Sequence, residues 1–81
     1  MQKSLSSSKQ KSFLALLRQV REEAGLRQID VAKRLDQPQS FVSKYESGER
    51  RLDLLELELV CEACDTALET FVDRYRKDMK S

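Results

Sequence analysis

Between Gly25 and Gly48 the chain interrupts itself three times, at Gly25, at Asp36-Gln37-Pro38 and at Ser47-Gly48. Glycine reaches the left-handed conformation that closes a helix. Proline lacks a backbone donor and biases the residue before it away from helix, yet suits a helix's first turn. Any helices in this stretch are therefore short. The spacing predicts one from Gln28 to Leu35, with Val31, Ala32 and Leu35 inward, and a second from Pro38 or Gln39 to Glu46, with Val42 and Tyr45 inward. Two helices of about two turns each cannot enclose a core, so the rest of the chain must supply neighbours.

The flanking segments read as such neighbours. Phe13, Leu16, Leu17 and Val20 recur at i, i+3, i+4 and i+7, which predicts a helix beginning near Lys9 or Ser12 and ending at Gly25. Asp53 stands three residues before Glu56, the spacing of a reciprocal helix cap. A fourth helix from Leu54 to about Cys64 follows, with Leu55, Leu59 and Ala63 facing the core and leucines to spare on its other faces. Asp65 or Thr66 can cap a fifth, carrying a stripe of Leu68, Phe71, Val72 and Tyr75. The sequence thus predicts an all-α, compact five-helix domain over residues 12–78. The Ser-rich residues 1–11 read as a disordered N-terminal arm and 79–81 as a frayed tail.

Eighty-one residues suit one small domain, and so small a core gains from dimerisation. The apolar runs fall far short of the ~20 residues needed to cross a bilayer, and the polar start lacks a secretory signal's apolar centre. A cytoplasmic location is the expectation. The net charge of +1 conceals an asymmetry. Up to Arg51 there are 11 basic and 6 acidic residues, a net +5; from Leu52 onward there are 4 and 8, a net −4. One basic end suits phosphates, leaving the other for water or a second subunit.

No His is present, no phosphate-cradling glycine loop and no nucleophile paired with a base, so the residues support no enzyme, cofactor or metal reading. Cys61 and Cys64 are two thiols where a structural zinc needs four ligands, and they read better as small buried hydrophobes than as a redox or zinc switch.

The segment from Arg21 to Asp53 resembles the lambda-repressor-like helix-turn-helix family, the Cro, cI and XRE type. Its motif falls at about 28–47: Gln28-Ile29-Asp30-Val31-Ala32-Lys33-Arg34-Leu35 is similar to the first helix, and the stretch from Gln39 to Arg50 to the recognition helix and its exit. The resemblance implies that Gln39, Ser40, Phe41, Ser43 and Lys44 face base edges in the major groove of double-stranded DNA. It implies that Gln28 meets a phosphate, with Arg27, Lys33, Arg50 and Arg51 as further phosphate candidates. It also implies a structural ion pair between Arg21 and Glu46. Two positions depart from the family pattern: Arg27 stands where Ser or Thr often caps, and Asp36 where Gly often turns the chain.

The expected function is a sequence-specific transcriptional regulator, a repressor acting as a homodimer on an inverted-repeat operator, its subunits joined through Leu68, Phe71, Val72 and Tyr75. The rival is a protein-interaction module, such as an antitoxin or phage adaptor, whose acidic C-terminal helices grip a protein partner.

Overall fold

A computed structural model describes the backbone of residues 7–80 and the side chains of 8–77. Five helices follow one another: α1 (Ser7–Glu23), α2 (Gln28–Arg34), α3 (Gln39–Ser47), α4 (Leu54–Ala63) and α5 (Leu68–Lys80). No strand occurs among the described residues. Helix α1 starts at Ser7, so residues 7–11, expected in a disordered arm, are its first turns. Residues 1–6 of that arm lie outside the described residues, as does Ser81 of the expected frayed tail; residues 79 and 80 are helical.

Four helix ends close by one device. After α1, α2, α3 and α4 a residue takes positive φ, namely Gly25 (75°), Asp36 (58°), Gly48 (87°) and Asp65 (60°). Each is followed by an amide that reaches back five residues: Leu26 to Arg21, Gln37 to Ala32, Glu49 to Lys44 and Thr66 to Cys61, at 2.9–3.2 Å. These bonds satisfy carbonyls that a helix end leaves without partners. Aspartate enters the left-handed region more readily than most side chains, which lets it serve twice in glycine's place. Asp65, expected as a cap for the fifth helix, is instead the closing residue of the fourth.

The core collects Leu16, Leu17 and Val20 from α1, Val31 and Ala32 from α2, Val42 and Tyr45 from α3, Val60, Cys61 and Cys64 from α4, and Phe71 from α5. Burial pushes both thiols up to about 11, well away from the reactive thiolate form. The Tyr45 hydroxyl is buried without a hydrogen-bond partner among the described residues.

Helix α4 is turned otherwise than expected. Of the residues expected inward Ala63 is buried, but Leu55 and Leu59 are 64% and 46% exposed, and Leu57, Val60, Cys61 and Cys64 make the rest of the inner stripe. The two sets are offset by two residues, or about 200° around the helix, and both are apolar. Periodicity alone therefore could not choose between them.

Two residues expected at a subunit interface are also spent inside the protomer. Phe71 is 1% exposed, its ring edge-on to Phe13 at 5.9 Å, and Tyr75 meets Phe13 edge-on at 6.4 Å. This aromatic trio fastens α5 to α1. Leu68 is half-buried and Val72 exposed.

Helix α2 packs on α3 with the methyl of Ala32, at 0% exposure, in the contact. Enlarging it must separate the two helices. Ala32→Leu is expected to cost about 1–3 kcal/mol, read as an earlier denaturation midpoint at unchanged slope.

Candidate nucleic-acid interface

Helices α2 and α3 and the turn between them carry the basic half's polar residues. The turn runs through Asp36 in the left-handed region to Pro38, whose extended backbone (φ −71°, ψ 158°) sets it just before the first residue of α3. Val42 and Tyr45 face inward, so Gln39, Ser40, Ser43, Lys44 and Ser47 come to lie on one exposed face.

The remaining ionisable residue of α3, Glu46, does not join that face. Its carboxylate takes two hydrogen bonds from Arg21, Nε to Oε2 at 2.6 Å and Nη2 to Oε1 at 3.0 Å, with both side chains about nine-tenths buried. Arg21 also donates to the carbonyl of Leu26 at 3.0 Å, joining α1, the following turn and α3. The bond to Glu46 holds the guanidinium even more firmly in its charged form. The exposed face of α3 is left with one amide, three hydroxyls and one ammonium, and no carboxylate.

The same carboxylate positions the amides. Gln28 Nε2 donates to Glu46 Oε1 at 3.1 Å, and Gln39 Nε2 donates to Gln28 Oε1 at 3.4 Å. Gln28 and Gln39, eleven residues apart, thus stand side by side. No periodic signal in the sequence points to this contact.

Phe41 and Arg50 are placed differently from the other candidates. Phe41 is half-buried, edge-on to Tyr45 at 5.5 Å, with the Arg50 guanidinium 4.6 Å from its ring centre. Arg50 in turn donates to both oxygens of Glu56, at 3.2 and 2.7 Å, and to the Arg51 carbonyl at 2.9 Å. Three bonds within the protomer thus occupy most of its five donors and leave few for a phosphate. Sequence reading placed Glu56 in the reciprocal cap with Asp53, where it accepts the Asp53 amide at 3.0 Å while Asp53 accepts the Glu56 amide at 2.7 Å, but it gave no sign of the pairing with Arg50.

Arg27 is drawn along its own helix. The Asp30 carboxylate accepts its backbone N–H at 2.8 Å and two guanidinium donors at 2.9 and 3.0 Å. Asp30 thereby covers a helix start that Arg27, with no acceptor of its own, cannot cap. Lys33 and Arg51 are exposed and pair with no carboxylate among the described residues.

The profile of the helix-turn-helix family matches residues 17–71, most of the chain and all of this constellation. The chain belongs to the XRE-type helix-turn-helix family. This is a family of DNA-binding transcription regulators. Among solved structures, the fold is similar to an XRE-family like protein from Pseudomonas syringae pv. tomato str. DC3000, with 36% identity, a TM-score of 0.85 and coverage of 93% of this chain and 92% of that one. It is also similar to a mutant of the restriction-modification controller protein C.Esp1396I, with 22% identity, a TM-score of 0.81 and coverage of 90% and 92%, a likeness of fold. No curated protein matches in sequence. No described helix of this XRE-type protein is long and apolar enough to cross a membrane.

Two outcomes follow from these pairs. Glu46→Ala leaves Arg21 buried without its counterion and should cost about 3–5 kcal/mol, whereas the double change Arg21→Met with Glu46→Leu should recover much of that loss in the same denaturation assay. Acid should act through the carboxylates paired with arginine near the surface. Arg27 holds Asp30 at about 2, and Arg50 together with the Asp53 amide holds Glu56 at about 2; Arg74 lowers Glu23. Because these values are depressed on folding, their contribution is whole at neutral pH and is lost as pH falls from the ordinary carboxylate range toward 2. Thermal midpoints should decline across that window, and less so in Arg50→Met.

Proposed function

We propose that this protein is a sequence-specific repressor acting as a homodimer on an inverted-repeat operator. The observation that carries the reading is the exposed face of α3, from which Glu46 has been withdrawn. A carboxylate there would be repelled by phosphates on both sides of the major groove; an amide, hydroxyls and an ammonium are the groups that read base edges.

In this reading Gln39 pairs with adenine through its amide, Lys44 donates to guanine, and Ser40 and Ser43 adapt to either neighbour. Phe41, held under Arg50, offers a ring edge to a thymine methyl. Gln28 and the exposed Lys33 and Arg51 meet phosphates, and Arg27 joins them by sharing its guanidinium with Asp30. Arg50 acts from behind by fixing Phe41.

The second subunit is assigned to the acidic half. Leu54, Leu55 and Leu59 of α4 and Val72 of α5 are exposed, more apolar surface than so small a protomer has reason to leave in water. Leu68 and Val72 keep their place at the proposed interface, while Phe71 and Tyr75 support it from within.

The test is retention of a random duplex library at ~150 mM salt, followed by sequencing. The expected product is an inverted repeat with half-sites about 34 Å apart. Gln39→Ala and Lys44→Ala should each cost ~1–3 kcal/mol and relax the preference at one position per half-site. Retention that is sequence-blind and vanishes with added salt would overturn the reading, and a second chain co-purifying at fixed stoichiometry would replace it with the protein-partner alternative.

A further inference from the structure

Where α1, α5 and the loop from Gly48 to Asp53 meet, the protomer leaves an open cavity of about 350 Å³. That volume is at the lower end of small-molecule sites, which run from about 300 to 1,000 Å³. Its apolar lining is Phe13, Leu14, Leu52 and Tyr75, and its charged lining is wholly basic: Lys9, Arg50 and Arg51. Arg50 is neutralised by Glu56 and covered by its contact with Phe41. Lys9 and Arg51 are exposed and have no carboxylate partner among the described residues. The loop is pressed close to α1, since a Cβ on Gly48 would stand 3.0 Å from Leu14 and 3.1 Å from Gln10. The cavity therefore forms part of the exit from α3.

We propose that this cavity binds a small amphipathic organic anion, an aryl or short-chain alkyl carboxylate. The chemistry follows from the two parts of the lining. A bare inorganic anion would gain nothing from four apolar side chains, and a neutral hydrocarbon would leave two cations unanswered. A molecule with an apolar body and one carboxylate satisfies both, its body against Phe13 and Leu52 and its charge at Arg51 and Lys9. Resting on the DNA-binding reading above, the bound anion occupies Arg51 at the cost of its phosphate, which makes the ligand an inducer.

The experiment titrates naphthoate into the full-length protein and follows the Leu14 and Leu52 methyls and the Tyr75 ring by NMR. Saturable shifts confined to these groups are expected. Arg51→Glu and Lys9→Glu should each weaken binding about tenfold, the loss of one charge-assisted hydrogen bond. Arg76→Glu, elsewhere on α5, should leave it unchanged, and the matching neutral alcohol should bind more weakly than the acid. Absence of saturable shifts, equal binding of alcohol and acid, or NOEs showing Met1 or Leu5 seated on Phe13 and Leu52 would each overturn the proposal. The titration contains no DNA, so its result stands whether or not an operator is found. Naphthoate that binds yet leaves the DNA retention of the wild-type chain unchanged would overturn the inducer role.

Discussion

One buried ion pair organises the rest of the molecule. Arg21 comes from the last turn of the longest described helix and Glu46 from the end of α3, and their paired hydrogen bonds join residues twenty-five positions apart. Such a pair offers little net stability against an apolar replacement, because both charges must first be stripped of water. Its value here is directional. A Leu at either place would fill space without fixing how α3 is rotated about its own axis. The carboxylate fixes that rotation, accepts Gln28, and through Gln28 sets the amide of Gln39. An electrostatic contact inside the domain thus decides what the outside of α3 presents.

A second constraint is the brevity of the helices. Helices α2 and α3 have seven and nine residues, too few to persist alone in water. Repeated left-handed closures let the chain reverse within four to six residues and stack these pieces on one another. Where a side chain must adopt that conformation, aspartate does so, and at Asp65 it also meets the Arg34 guanidinium that donates to the Ala63 carbonyl at 2.8 Å. The last carbonyl of α4 is thereby answered from α2. Backbone bookkeeping and tertiary packing are settled by the same residues.

Much of this was readable from the chain. Gly25, Pro38 and Gly48 mark their boundaries because each has a backbone requirement few other residues share. Leu16, Leu17 and Val20 declare an inner face because their opposite face is charged. Helix α4 gave no such contrast: leucines occupy both the 55/59 stripe and the stripe of Leu57 and Val60, and only the positions of α2 and α5 decide which is covered. Phe71 looked available for another subunit because its intramolecular partner, Phe13, lies fifty-eight residues away. Arg50 looked free because a guanidinium beside Gly48 gives no local sign of the Phe41 ring it covers or of the Glu56 carboxylate six residues on. Long-range partners such as Phe13 were not legible, and neither was the left-handed closure at Asp65, whereas the boundaries at Gly25, Pro38 and Gly48 were.

The division of labour along α3 has an evolutionary consequence. Val42, Tyr45, Glu46 and Phe41 hold the helix, while Ser40, Ser43 and Lys44 are exposed. The outward positions can be rewritten without disturbing the scaffold that presents them. On the DNA-binding reading proposed above, lineages of such a chain are free to wander among target sequences by single substitutions, each intermediate remaining folded.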